Sequence, residues 1–392
     1  MKIVEMKDLH CDAGSKVFSF LKITTDEGIV GWSEYNEGNG GDGMSSAIRT
    51  LGAELIGMDP RPIERIVAML HGITRQAPGG INQRVIAAIE NALLDIKARA
   101  LGVPVYELFG GPIRTELPLY WSHCGGPRVK NQIVMEVEPI TSLDGIVALG
   151  KLVRERGFKA LKANIYLFDT DKPEVYQPGF ARVDGWPELI CTPRILAAIT
   201  DQTAAFREGV GPEFDLLLDV NFNFKTSGYR QVARAVEPYG LRWLEIDTYD
   251  PGALRDIREA SSVPIASCES LYGRRAYRPF LENYSVDVAI IDVPWNGLLE
   301  SLKIAAMVEP YEVNVAPHNF HGHLATFMSA HFSAIVPHLE IMESDIDRVP
   351  WIDDIVTVKP KIENGSLKLP TGPGWGTEIL EEVVLAHPPK RR

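Results

Sequence analysis

The residues best suited to chemistry are acids, an imidazole and an amine that close short apolar runs. Asp219 ends LLLD, Glu245 ends WLE and Glu269 follows IASC. Three carboxylates brought together in a partly dry site repel one another unless a cation neutralises them. Hard oxygen donors with room for water favour Mg²⁺, with Mn²⁺ as a substitute. Lys162 ends FKALK, Asp292 ends VAIID and His318 ends VNVAPH. A carboxylate bonded to one imidazole nitrogen fixes the tautomer and raises the basicity of the other, which is what a general base needs. Lys162 suits the stabilisation of an anion forming near the metal. Singly, such acids are commonly helix N-caps or solvated loop residues. The weight lies in the set.

His318 belongs to a cluster, VNVAPHNFHGHLAT, that also holds His321 and His323. Pro317 and Gly322 keep the three off one helix face, which argues against a zinc triad. His321 and His323 are candidates for bonding a substrate hydroxyl, and the alternative is that they are loop or helix-start residues.

The elements that must position these side chains are short β-branched runs, each followed by a helical stretch. From about Leu117 they read LPLYWSH, FKALKANI, FDLLLDV, LRWLEI, VPIAS, VDVAIID, YEVNVA and HLEIM. Apolar runs of this kind, alternating with helices, predict parallel strands buried on both faces. Eight units in about 240 residues predict a (β/α)₈ barrel over 116–355, with its chemistry at the C-terminal strand ends. No GxGxxG follows an early strand, which disfavours a doubly wound dinucleotide fold. Residues 1–115 read as an α+β capping module, with strands over Val17–Thr24 and Gly28–Ser33 and an amphipathic helix over Ile81–Ala100. His10–Ser15 and the glycine-rich Glu34–Gly43 segment are expected as loops over the barrel mouth, as is the long Tyr166–Cys191 insertion. Residues 356–392, with the strand-like VKPKIENGSLKLP, are expected to pack back on the cap.

With 392 residues, 45% hydrophobic and 23% charged, the chain has enough material for two packed domains. A net charge of −12, with basic residues gathered only at Lys390, Arg391 and Arg392, argues against nucleic acid as a partner. No signal-peptide core and no apolar run of spanning length is present, so a cytoplasmic protein without a membrane partner is expected. Cys11, Cys124, Cys191 and Cys268 form no CxxC pair and read as reduced structural thiols.

Taken together, these residues resemble the enolase superfamily and its mandelate racemase subgroup. The likeness runs through the helix NQRVIAAIENALLDIKARALGVPVYELFGG, the acids Asp219, Glu245 and Glu269, the pair Asp292 and His318, and the closing PTGPGWGTEI. It implies a modified (β/α)₈ barrel with a cap, and a shared step in which Mg²⁺ binds a substrate carboxylate, a base removes the α-proton and the metal stabilises the enediolate. On the matching motif, Asp219, Glu245 and Glu269 ligate the metal, His318 transfers the proton with Asp292 as partner, and Glu343 contacts the substrate carboxylate. It also implies a homo-oligomer.

The chain departs from the subgroup in ways that bear on function. Where the second strand often ends Lys-x-Lys, this one has Lys162, Ala163 and Asn164, so the second base is missing. Two residues after the first ligand stands Asn221, not a histidine; Glu245 is followed by Ile246 and Asp247; and Cys268 precedes Glu269. A racemase working across two faces wants two acid/base groups, whereas a dehydratase can use His318 as base and then as acid. The expected reaction is loss of water from a sugar acid, with Asn164 and Asn221 among the substrate contacts. Epimerisation, with Lys162 taking a proton-transfer role, and cycloisomerisation are the enzymatic alternatives. A non-catalytic carboxylate-binding relative is the rival of another class, and a zinc hydrolase is a third.

Overall fold

The computed structural model describes residues 1–38 and 40–390; Asn39 of the glycine-rich segment and Arg391 and Arg392 of the basic end lie outside them. Three antiparallel strands, β1 (Ile3–Asp12), β2 (Val17–Thr25) and β3 (Val30–Tyr35), form the cap sheet. Helices α1 (Met44–Ala53), α2 (Ile63–Ile73) and α3 (Gly80–Leu101) follow. Helix α3 is buried almost all round from Gln83 to Ala98, because it lies between the cap sheet and the rest of the chain. Gly31 permits this: a Cβ there would stand 2.2 Å from the Ala92 carbonyl oxygen.

The barrel strands are β4 (Glu116–Ser122) and β5 (Ala160–Ala163) and, after a small hairpin of β6 (Tyr166–Leu167) and β7 (Glu174–Val175), β8 (Asp215–Asp219), β9 (Trp243–Glu245), β10 (Ile265–Ser267), β11 (Val288–Asp292), β12 (Asn314–His318) and β13 (Met342–Asp345). Neighbours pair in parallel from β4 through β12, β13 pairs with β4, and a parallel bridge from Val315 of β12 to Leu339 ahead of β13 closes the sheet as the alternation predicts. Tyr120, Leu217, Trp243, Val288 and Ile290 fill the lumen, with the Tyr120 and Trp243 rings edge to face.

Register does the positioning. Asp219 stands beside Glu245, Asp292 beside His318, and Asp345 beside Ser122. The last strand starts four residues later than HLEIM suggests. Leu339 makes only a bridge to Val315, and continuous pairing with β4 begins at Met342. Glu343 therefore lies inside a strand, and Asp345 closes it.

Two other expectations are corrected. Glu34 and Tyr35 are buried residues of β3, so the glycine-rich loop starts only at Asn36. The hairpin inside VKPKIENGSLKLP, β14 (Ile362–Glu363) and β15 (Ser366–Lys368), joins β4 at its N-terminal end and not the cap. Chain beyond it does reach the cap. The Trp375 backbone N–H donates to Asp95 of α3 at 2.9 Å and its indole N–H to the Trp32 carbonyl at 2.9 Å. The four cysteines are buried and unpaired. No described helix is long and apolar enough to cross a membrane.

Candidate active site

A cavity of about 440 Å³ opens at the C-terminal strand ends, within the size range of small-molecule sites. Lys162, Asn164, Asp219, Asn221, Glu269 and His318 line it from the barrel, as the strand-end rule predicts. Lys16 and Phe18 enter from the cap, and Gln177 and Phe180 from the insertion. His10 lies back in β1, bonded to Asp8 and Ser19. No described residue of the 36–43 loop reaches the cavity.

Lys162 is the hub of the floor. Its Nζ lies 2.8 Å from Glu245 Oε1, 3.1 Å from Glu343 Oε1 and 3.9 Å from Asp219 Oδ2. Burial alone would lower its pKa, but Glu245 and Glu343 hold it well above the ordinary lysine value. Glu343 is fully buried and does not line the cavity. It accepts from Ser122 Oγ and, at 2.6 Å, from the Asn319 N–H. Burial pushes it up, yet Lys162 and His318 pull it down to about 2. Glu343 thus braces Lys162 from below.

The acids on the other wall behave differently. Burial, then Glu245, raises Asp219 to about 6. Burial, then Asp247, raises Glu269 well above the carboxylate range, and Asp247 is raised by burial, Asp219 and Glu245. Too many buried carboxylates share too few cations. Glu245 has both oxygens bonded, to Lys162 and to the Trp243 indole N–H at 2.9 Å, but each keeps a second lone pair. Asn164 Nδ2 donates to Asp219 at 3.3 Å and to Asn221 Oδ1 at 3.4 Å, and the Asn221 backbone N–H donates to Asp219 at 2.8 Å.

His318 closes β12 with Nδ1 2.7 Å from Asp292 Oδ2 and Nε2 3.5 Å from Glu269 Oε2. Burial disfavours its charged form, but Glu269, Asp292 and Glu343 raise it to about 10. His321 does not face the cavity: its Nε2 is 2.9 Å from the same Asp292 oxygen and its side chain is 1% exposed. His323 opens the helix His323–Ile335 and bonds Asp353 at 2.8 Å. Neither lines the cavity to meet a substrate hydroxyl, because Asp353 claims the His323 ring and Asp292 the His321 ring.

Among the described residues, one group of three possible metal ligands gathers its ligand atoms within 4.8 Å, and it is Asp292, His318 and His321, not the three acids. Both imidazoles already bond one carboxylate oxygen, so this cluster is satisfied without a metal. The acids stand further apart, with the Lys162 ammonium close to Asp219 and Glu245.

Residues 146–383 match the family model described as enolase C-terminal domain-like, and residues 11–110 match the mandelate racemase / muconate lactonizing enzyme N-terminal domain. The chain belongs to the enolase superfamily. It is 28% identical to a D-xylonate dehydratase of Haloferax volcanii, over 95% of this chain and 86% of that one. It is 30% identical to a D-galactonate dehydratase of Cronobacter sakazakii, over 94% and 90%. Among solved structures, a Burkholderia xenovorans protein named provisionally as an L-alanine-DL-glutamate epimerase superposes with a TM-score of 0.97 at 46% identity, covering 100% of this chain and 99% of that one. A second structure of it contains magnesium and fumarate.

Sequence reasoning missed several site residues of this enolase-superfamily chain. His123 follows β4 and lines the cavity, with Nδ1 2.7 Å from Asp345 Oδ1. Trp295 packs edge-on against His318, with ring centroids 5.2 Å apart. The signal for the first pair was present: LPLYWSH and IMESD end in chemistry-bearing residues by the same rule that found Asp219.

Proposed function

We propose that this enolase-superfamily enzyme removes water from a sugar acid, an aldonate or aldarate, to give a 2-keto-3-deoxy acid. The observation that carries it is Asn164. At the position of a racemase's second base stands an amide that cannot take up a proton, tied to Asp219 and Asn221. One-face deprotonation by His318 then suits elimination better than inversion. Two relatives named as sugar-acid dehydratases support the same reaction.

The donor set fits a hard divalent cation of the magnesium class, held by Asp219, Glu245 and Glu269. They are oxygen donors, and the elevation of Asp219 by burial and Glu245, and of Glu269 by burial and Asp247, marks uncompensated negative charge. Magnesium in the Burkholderia neighbour supports this choice. When bound, such a cation draws electron density from the substrate carboxylate and acidifies the α-hydrogen. With Glu269 engaged by the cation, the strongest influence keeping His318 protonated is removed, and neutral His318 Nε2 takes that proton while Asp292 steadies the imidazolium through Nδ1. The Lys162 ammonium meets the charge growing on the carboxylate, held at its post by Glu343 and Glu245. Trp295 and Phe320 pack on the His318 ring and keep bulk water from it.

Epimerisation is the second reading, favoured by the provisional name of the neighbour at 46% identity. A screen of mono- and diacid sugars with Mg²⁺, read as semicarbazide-reactive 2-keto acid, separates the two. Keto-acid formation supports dehydration. Solvent deuterium entering Cα without ketone supports epimerisation.

A further inference from the structure

A second imidazole–carboxylate pair stands in the cavity wall. His123 lies immediately after β4, with φ of +46°, a left-handed conformation that a non-glycine residue adopts at a cost. Its Nδ1 is 2.7 Å from Asp345 Oδ1 and 3.3 Å from Ser122 Oγ. With Nδ1 so engaged, Nε2 is left to face other chemistry, and no described protein group bonds it. The side chain is 31% exposed, although it lines the cavity and sits beside buried residues.

The pair repeats the design of Asp292 and His318. In each, a strand-end carboxylate closing one barrel strand holds the Nδ1 of an imidazole at the end of an adjacent strand, at 2.7 Å. Asp345 is fixed from its other side, where Oδ2 is 3.2 Å from Lys16 Nζ of the cap. His123 therefore stands between the acidic floor and the cap. His123 and Lys162 line the same cavity, so a substrate whose carboxylate sits near Lys162 can place carbons beyond Cα against His123.

We propose that His123, oriented by Asp345, is a second proton-transfer residue: the general acid that protonates the β-hydroxyl as it departs, while His318 takes the α-proton. This rests on the dehydratase reading above. Hydroxide is a poor leaving group, and protonation in flight is the means of expelling it near neutral pH. The Cα–H bond breaks with its proton passing to His318, and its electron pair forms the Cα=Cβ bond. The Cβ–O bond breaks as the oxygen takes a proton from His123 and leaves as water. The enol tautomerises to the 2-keto acid by taking a proton at Cβ and releasing the hydroxyl proton. His318 loses its proton to solvent and His123 regains one, so the cycle neither oxidises nor reduces anything.

The test uses the full-length protein with Mg²⁺ and a panel of five- and six-carbon sugar acids that includes D-xylonate and D-galactonate. Three rates are read: 2-keto acid formation, exchange of the α-hydrogen with D₂O, and fluoride release from the 3-deoxy-3-fluoro analogue of the acid turned over. Fluoride leaves without a general acid. His123→Asn is expected to lose dehydration roughly 10²–10⁴-fold, while retaining α-exchange and fluoride release within about threefold. His318→Asn loses all three, and Asp345→Asn follows His123→Asn more weakly because it only orients the ring. The assignment is overturned if His123→Asn dehydrates at the parent rate, or if it loses exchange and fluoride release as heavily as dehydration, the mark of a structural strut. His123→Gln is carried alongside, so that a folding defect peculiar to one replacement is recognised. If the parent exchanges an α-hydrogen but expels neither water nor fluoride from any acid, the dehydratase reading itself fails and the role of His123 falls with it.

Discussion

Lys16 Nζ lies 3.2 Å from Asp345 Oδ2, so a cap lysine is paired with the residue that closes the eighth barrel strand. The same ammonium donates to the Phe320 carbonyl and sits 4.6 Å from the Phe320 ring centroid, two residues beyond His318. Other cap residues bind barrel backbone. Glu34 accepts from the Gly322 and Ala325 N–H groups at the start of helix His323–Ile335. Glu90 and Asn91 accept from Leu299 and Leu298 at the start of helix Leu298–Val308. Side-chain oxygens at helix N-termini satisfy otherwise unpaired N–H donors. The cap is thereby registered on the barrel to within a hydrogen bond, and the cavity between them inherits that precision.

Lys16→Met tests the cap contact. It removes a charge whose partners are Asp345 and a carbonyl, while keeping most of the apolar stem over Phe320. We expect KM to rise about tenfold, corresponding to about 1.4 kcal/mol of lost closure, with a smaller change in kcat and little change in melting temperature. An unaltered KM would show that the cap closes without this contact.

Asp292→Asn tests the base. Asp292 is fully buried and holds two imidazoles, His318 at 2.7 Å and His321 at 2.9 Å. Burial opposes its ionisation, but electrostatic attraction toward His321 and the bonds to the two imidazoles lower its pKa, so it remains a carboxylate. An amide neither stabilises the imidazolium nor fixes the His318 tautomer. The α-hydrogen exchange rate is expected to fall roughly 10²–10⁴-fold with Mg²⁺ affinity unchanged. Near-parent exchange would remove Asp292 from the proton-transfer pair.

Glu90 makes stability pH-dependent in an unusual direction. Burial pushes its pKa up to about 8, despite the Leu299 N–H bond. Between the ordinary glutamate value and about 8 the folded protein holds a proton that the unfolded chain releases. Stability from this group is therefore greatest at acidic pH and declines as pH rises through that window. Glu90→Gln keeps an accepting oxygen for Leu299 and cannot ionise. The variant is expected to melt near the parent temperature at pH 5 and above it at pH 8, by about 2–4 kcal/mol of unfolding free energy. A constant difference across that range would mean that Glu90 is ionised in the fold.

What the sequence disclosed follows from geometry with short memory. The alternation of apolar runs and helices gave away the barrel because parallel strands are buried on both faces, and strand ends such as Asp219 and Asp292 follow directly from it. His321 was beyond reach, since its direction depends on where the next helix starts and on which ring wins Asp292. Lys16 was invisible as well: its partner lies 329 residues away, and only the docked cap brings them together. Asp345 was not singled out because the last strand starts at Met342, a register set by β4 and not by its own composition.

Where a divalent cation of the magnesium class would sit is open to a decisive experiment. Two clusters compete, the acids Asp219, Glu245 and Glu269, and the compact group Asp292, His318 and His321. In the first, burial and mutual repulsion raise Asp219 and Glu269, so neutral isosteres relieve strain in the metal-free protein. Asp219→Asn and Glu269→Gln are therefore expected to raise the melting temperature without metal, and to abolish the further rise that Mg²⁺ gives the parent. His321→Asn breaks the second cluster and leaves the first intact, so its melting temperature is expected to climb with Mg²⁺ as the parent's does. Calorimetric titration with Mg²⁺ measures the same contrast without any turnover. If His321→Asn loses the Mg²⁺ response while Asp219→Asn keeps it, the cation belongs beside Asp292, and His318 is a ligand and not the base.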